Sequence, residues 1–427
     1  MKVIEISPPV RNFDENIALP TLDRIPEYPI GYTLDGSQGR NRAPVERCKI
    51  DALHDYAAIQ CWLQRYQHKD TTTHRNYKKE AERLLLWCLF KHKTALSSLT
   101  EADLMAYADF LGNPQPHELW CGKSGGKGHK RGMPGWKPFV KGLSGSSKRA
   151  SFAILDSLFT FLFNARYLDF NPLALARFPF NRVESKEEKR HAIRQKVLAP
   201  VVWNSLIDTL DLLPVETAHE KNDAERVRWL VHLVFFLGVR NSVLKKNTFS
   251  AFERDEEGKW WFTFVGKGDK FGRVVVNDDL LNAMRRFRSH FRLSPLPEPH
   301  ETTPLIPSWK SSSGVSPRQI NNILKKLSGK TAELFPNQPL IAKKLQRFSA
   351  HWLRHQTTTM QSYAGIRQKH TQGHLGHSSV QTTELYDHTF DDAQHEDMQK
   401  LGIRFNLPIG KTTVENTGGR HRGGGIT

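Results

Sequence analysis

The chain has 427 residues, 38% hydrophobic and 25% charged, and its 62 Lys and Arg against 44 Asp and Glu give a formal net charge of +18. A chain of this length and apolar content buries more than one core, which excludes disorder throughout and predicts two principal globular domains with extensions. The charge favours a polyanionic partner, nucleic acid ahead of a membrane surface, and no apolar run approaches the roughly 20 residues that cross a bilayer.

The opening stretch MKVIEISPPVRNFDEN lacks a basic region followed by an apolar signal core. A cytoplasmic, nucleoid-associated location is therefore expected. Cys48, Cys61, Cys88 and Cys121 have no CxxC spacing, which argues against a zinc module or an extracellular disulfide framework. Residues 1–45, with several prolines and LDGSQGRNRAP, read as an N-terminal extension: an arm lying on another domain, or disorder.

From 46 to 181 the pattern is that of a small helical domain. ALHDYAAIQCWLQRY and TTTHRNYKKEAERLLLWCLFKHK repeat apolar residues at helical spacing, with Tyr77, Ala81, Leu84, Leu85 and Cys88 on one side. An insertion at 111–145 breaks the helices with Gly and Pro and gathers Lys123, Lys127, Lys130, Arg131, Lys137 and Lys141. It reads as a phosphate-contacting loop or a solvated insertion; it lacks the GxxxxGK[ST] order of a nucleotide-binding loop. In the next helix Ile154, Leu155, Leu158, Phe159, Leu162 and Phe163 form an apolar stripe expected to be core, and Lys148 and Arg149 at its entrance are candidates for touching DNA phosphate. Arg75 and Lys78 are expected to position the DNA backbone in the same way.

Residues 182–198, RVESKEEKRHAIRQKVL, are too charged for a core and predict an exposed linker. Between 199 and 395 helices surround NTFSAFERDEEGKWWFTFVGKGDKFGRVVVND, whose aromatic and β-branched residues flank Gly266, Gly268 and Asp269 as strands of a hairpin would. Residues 396–427 are a C-terminal segment ending in the Gly-rich tail NTGGRHRGGGIT. The expected fold class is mainly α with a small antiparallel β-sheet.

The chemistry concentrates in SAHWLRHQTTTM, GHLGHSS and TTELYDHT. His351 and Arg354, three apart, share a helical face. Arg240 emerges at a turn after the apolar run ending in Gly238, and two separated arginines can hold the non-bridging oxygens of one phosphate in its pentavalent transition state. His377 follows a glycine turn; each histidine is alternatively a satisfied structural group. The hydroxyl of Tyr386, with an ordinary pKa of about 10, becomes a nucleophile once proton removal is assisted and developing charge is stabilised. Lys267 on the hairpin can protonate the leaving 5′ oxygen; Lys270 is a second candidate for that acid, or grips the adjacent phosphate.

In order, spacing and context this set resembles the tyrosine recombinases of the phage integrase family. Arg240 matches the first arginine motif, Lys267 the hairpin lysine, His351 and Arg354 the HxxR motif, His377 the LGH motif, and Tyr386 the nucleophile. The match covers roughly 198–390, and the helices before it resemble the family's core-binding domain. One position departs: Val243 stands where the family commonly has an acidic residue. The resemblance implies a core-binding domain and a catalytic domain that clamp duplex DNA, a 3′-phosphotyrosine link with release of a 5′ hydroxyl, and strand exchange with neither ATP nor a divalent metal. It further implies a homotetramer on two double-stranded recombination sites, formed from chains monomeric or weakly associated without DNA, with accessory proteins in some systems. Integration or excision of a mobile element is the expected outcome. Type IB topoisomerase-like relaxation and a noncatalytic architectural DNA-binding role are the alternatives. A metal hydrolase is disfavoured because His351 and His355 lack the Glu of HExxH.

Overall fold

The structure, a computed structural model, describes residues 19–67, 71–123, 129–179, 185–266, 269–308 and 313–375. It divides into two compact units, Met1–Val183 and Glu184–Thr427.

The first unit is built on helices α1 (Asp55–Gln64), α2 (Thr71–Leu86), α3 (Glu101–Gly112), the short α4 (His117–Trp120) and α5 (Gly145–Asn164). Helix α3 starts in a reciprocal capping box between Thr100 and Asp103, and Ser144 caps α5 by accepting from the Ser147 amide. The core comprises Ile59, Trp62 and Leu63 of α1, Leu84 and Leu85 of α2, Leu104 and Tyr107 of α3, and Leu155, Leu158 and Phe159 of α5.

Two stretches read from the sequence as an extension and an insertion contribute to this core. Leu19, Leu22 and Ile25 are buried in it, so this part of the N-terminal extension packs on the helices. The Leu22 amide donates to Glu82 Oε2 at 2.6 Å. Farther along, Gly36 takes a positive φ of +88°, and the Asp55 carboxylate occupies the space where a Cβ would stand, so glycine meets both demands. The described part of the basic insertion is also anchored. Trp120 and Phe139 are buried, and the Arg83 guanidinium donates to Pro138 O at 3.0 and 3.1 Å while lying over the Phe139 ring.

The second unit contains α6 (Lys186–Arg194), α7 (Pro200–Asp208), α8 (Ala218–Leu237), α9 (Asn241–Lys246), strands β1 (Phe252–Arg254), β2 (Trp260–Val265) and β3 (Phe271–Val275), then α10 (Asp278–His290), α11 (Pro317–Glu333), α12 (Pro339–Gln346), α13 (Ala350–Tyr363) and α14 (Gln368–Leu375). The charged stretch read as a linker is thus largely helical: α6 forms behind a Ser185–Glu188 capping box and buries none of its side chains. The sheet is antiparallel in the order β1-β2-β3, pairing Phe252 with Phe262 and Phe262 with Val274. These three side chains enter the core, where Trp229, Leu230 and Val234 of α8 also lie.

Helix α13 is buried on more than one side although its sequence is polar. Every residue from Leu353 to Thr359 is buried. Polar groups survive there because they find backbone partners: Thr357 Oγ1 donates to Phe235 O of α8 at 2.7 Å, and Thr358 Oγ1 to Arg354 O at 2.9 Å. The Gln356 amide accepts from the Leu198 N–H at 2.8 Å and donates to the Leu198 carbonyl at 3.3 Å.

Candidate active site

The site begins where α8 ends. Gly238 closes that helix in the left-handed conformation, φ +57°, and a Cβ there would lie 2.6 Å from Leu375 Cδ2. A glycine therefore meets both the dihedral and the close approach. Val239 turns inward, and Arg240 occupies the N-cap of α9 with its side chain exposed. Val243, one turn on, is buried in the hydrophobic core beside Leu244. The position where an acid was expected to orient the site is thus a packing position in this chain.

Ser349 caps α13 by accepting from the Trp352 amide, placing His351 in the first turn and Arg354 in the second. Arg354 is only 8% exposed. Its guanidinium donates to the Gly238 carbonyl and, at 2.7 Å, to the Leu375 carbonyl, so one side chain joins the ends of α8 and α14. The planar fork of donors suits this two-carbonyl geometry, which a lysine cannot reproduce.

His351 is open to solvent on one side, and its Nε2 lies 3.0 Å from Nε2 of the buried His355. One nitrogen of that pair donates to the other. Partial burial is the largest cause holding the His351 pKa below the ordinary histidine value, followed by the charges of Lys196, Arg354 and Arg240. Burial and neighbouring positive charge thus both favour the neutral imidazole of His351. His374 is the structural histidine of the group: its ring nitrogen donates to Phe236 O at 2.8 Å, and desolvation depresses its pKa.

On the hairpin, the Gly266 amide donates to Lys270 O at 2.7 Å and Asp269 takes φ +56°, leaving the Lys270 side chain exposed. Lys267, His377 and Tyr386 lie outside the described residues, as does Lys127. The structure thus brings Arg240, His351 and Arg354 together and describes the chain as far as Leu375, whose carbonyl Arg354 holds.

The residues expected to grip DNA in the first unit divide into two groups. Arg75, Lys123 and Lys130 are exposed, and Lys148 and Arg149 are half-buried in the first turn of α5. Lys78 and Arg131 are instead engaged with carboxylates. Lys78 pairs with Asp23, while Arg131 reaches Asp23 at 2.8 Å and the buried Glu82 at 2.5 Å. Sequence reasoning missed Gln356 and Lys196: Gln356 looks like a solvent-facing polar residue, and Lys196 is one cation in a charged run. Among the described residues no group of three or more His, Cys, Asp or Glu side chains is arranged to hold a metal ion.

No family model matches the chain. It is 25% identical over 252 residues to the tyrosine recombinase XerD of Rickettsia bellii (strain RML369-C), an alignment spanning 58% of this chain and 74% of that protein. The chain is thus similar to tyrosine recombinases. Another of them, the XerD of Caulobacter vibrioides (strain ATCC 19089 / CIP 103742 / CB 15), is 26% identical over 203 residues, 45% of this chain and 61% of that one. The two-unit fold, mainly helical with one small antiparallel sheet, is similar to the crystal structure of the XerH site-specific recombinase bound to palindromic difH substrate in a post-cleavage complex. That likeness has a TM-score of 0.52 at 16% identity and covers 80% of this chain and 83% of the other.

Proposed function

We propose that the chain is a site-specific DNA recombinase that cleaves and rejoins strands through Tyr386. The Tyr386 oxygen attacks the scissile phosphorus, an oxygen–phosphorus bond to the protein forms, and the bond to the 5′ oxygen breaks. The phenolic proton leaves to a neighbouring base, and Lys267 supplies the proton that converts the departing oxygen to a hydroxyl, with Lys270 the alternative donor. Arg240, Arg354, His351 and His377 stabilise the charge of the pentavalent phosphate. Attack by the 5′ hydroxyl of another strand regenerates the tyrosine and joins new partners. The bond energy stays in the protein–DNA link, so the chemistry requires no nucleotide cofactor.

The observation that carries this reading is the convergence of Arg354, His351 and Arg240 on elements fixed by the buried helix α13 and the end of α8. Rigid placement of cationic donors is what stabilises charge developing on a phosphate. A homotetramer on two DNA sites, assembled from chains monomeric or weakly associated without DNA, suits a reaction that exchanges strands between partners. Accessory proteins would select the outcome, with mobile-element integration or excision the favoured one. The formal net charge of +18 accords with a nucleoid-associated, cytoplasmic location. Among the described residues no helix is long and apolar enough to cross a membrane.

The test is covalent trapping. Wild type and Tyr386→Phe are incubated with nicked duplex suicide substrates from the DNA flanking the gene and resolved on a denaturing gel. A protein–3′-DNA adduct formed by wild type and lost in the variant supports the proposal; an equal adduct from both removes Tyr386 from the nucleophile's role.

A further inference from the structure

Lys196 sits in a short segment that the fold secures at both ends. Upstream, the Arg194 carbonyl accepts from Lys344 Nζ of α12 at 3.4 Å. Downstream, the Leu198 peptide is held by the Gln356 amide of α13, as donor and as acceptor. The intervening chain turns tightly, with the Lys196 amide donating to Ile193 O at 2.7 Å, and Val197 and Leu198 drop into the core. Lys196 itself remains half-buried. The chain is thus pinned to α12 and α13, the helix that carries His351 and Arg354.

Lys196, Arg354 and Arg240 all lie near enough to His351 for their charges to lower its pKa. No carboxylate is paired with Lys196 among the described ion pairs. Gathering like charges around a neutral histidine is unfavourable in the free protein, and a polyanion relieves it.

We propose that Lys196 is a phosphate-binding residue of the DNA site, contacting the backbone beside the phosphate held by Arg240, His351 and Arg354. This rests on the recombinase reading only for the identity of that phosphate; a DNA-binding role for Lys196 stands apart from the chemistry. Its ammonium is a point charge on a flexible stem anchored by the fixed peptides around it, which suits a flanking phosphate better than the two-oxygen grip of an arginine. Gln356 is a positioning residue, acting through the Leu198 peptide.

The experiment uses the full chain and three variants, Lys196→Gln, Lys196→Arg and, as a control, Lys130→Gln. Three quantities are read: the salt dependence of duplex binding, the titration of the His351 ring by NMR in the free protein, and the rate of covalent attachment to a nicked substrate. Loss of one phosphate contact lowers the slope of log K against log salt by about 0.9. Lys196→Gln is expected to show that fall, to raise the His351 pKa, and to slow attachment at saturating DNA by about 10-fold or more. Lys196→Arg retains slope and rate. Lys130→Gln leaves the His351 titration unchanged. An unchanged salt slope in a folded Lys196→Gln protein, judged by its thermal transition, overturns the proposal whatever the histidine does. If wild type forms no adduct while Lys196→Gln still loses slope, the recombinase reading fails and the phosphate contact stands.

Discussion

The guanidinium of Arg354 bonds two backbone carbonyls from a nearly buried position, so its replacement has two separable effects. Arg354→Lys keeps a charge but loses the fork, and covalent attachment is expected to fall about 100- to 1000-fold while duplex binding persists. Attachment within 3-fold of wild type would show that a point charge suffices. Asp55 is the other residue with an unusual environment. It accepts from the Ser97 amide at 3.0 Å and the Tyr167 hydroxyl at 2.9 Å, and complete burial raises its pKa to about 6 despite those bonds. The folded chain therefore holds a proton that the unfolded chain has released. The resulting stabilisation is fully present below the unfolded carboxylate value of about 3.9 and is lost as pH rises through about 6. Relative to Asp55→Asn, the wild-type thermal transition should gain as pH is lowered from 7.5 to 5; a constant difference would contradict the assignment. HxxR was legible because its three-residue spacing puts both side chains on one helical face, whereas Arg240 was singled out only through the family resemblance. The Asp55 network was not, because Gly36, Ser97 and Tyr167 are remote in sequence.

Helices showed themselves in the sequence where one face is apolar, as in α2 and α5, whereas polar burial left no such pattern. RHQTTT carries no apolar stripe, yet it lies inside α13 because hydroxyls and an amide replace water with carbonyls of α8, the preceding turn and Leu198. The reverse holds for α6, whose charges suggested a linker and whose capping box makes it a helix with nothing buried. At the junction of α8 and α9 the determining residue is Gly238. Gly238→Ala forces a Cβ into a left-handed φ and against Leu375, and should cost about 1–3 kcal/mol. Attachment should fall with it, since the same turn presents Arg240 and the carbonyl that Arg354 grips. Calorimetry and the suicide-substrate assay check the two halves; full activity in a destabilised protein would separate the turn from the chemistry.

For the molecule as a whole, a net charge of +18 does not say which cations meet DNA. The sequence could not separate Arg75 and Lys130 from Lys78 and Arg131, because the carboxylates that engage the latter pair come from Asp23 and Glu82. Arg75→Ala and Lys130→Ala should each lower the salt slope of duplex binding by about 0.9 with little change in thermal stability. Arg131→Ala should do the opposite: leaving the Glu82 carboxylate buried and short of a partner costs about 1–3 kcal/mol and leaves the slope intact. A slope change in Arg131→Ala would mean that its ion pairs open on DNA. The grip of Arg354 on Leu375 has a thermodynamic counterpart. If phosphate binding and the docking of α14 draw on the same guanidinium, each must favour or oppose the other by an equal free energy. Hydrogen exchange along Gln368–Leu375 would then report occupancy of the phosphate site from a helix that need not touch the phosphate, and the sign of that change would tell whether substrate tightens or loosens the path to Tyr386.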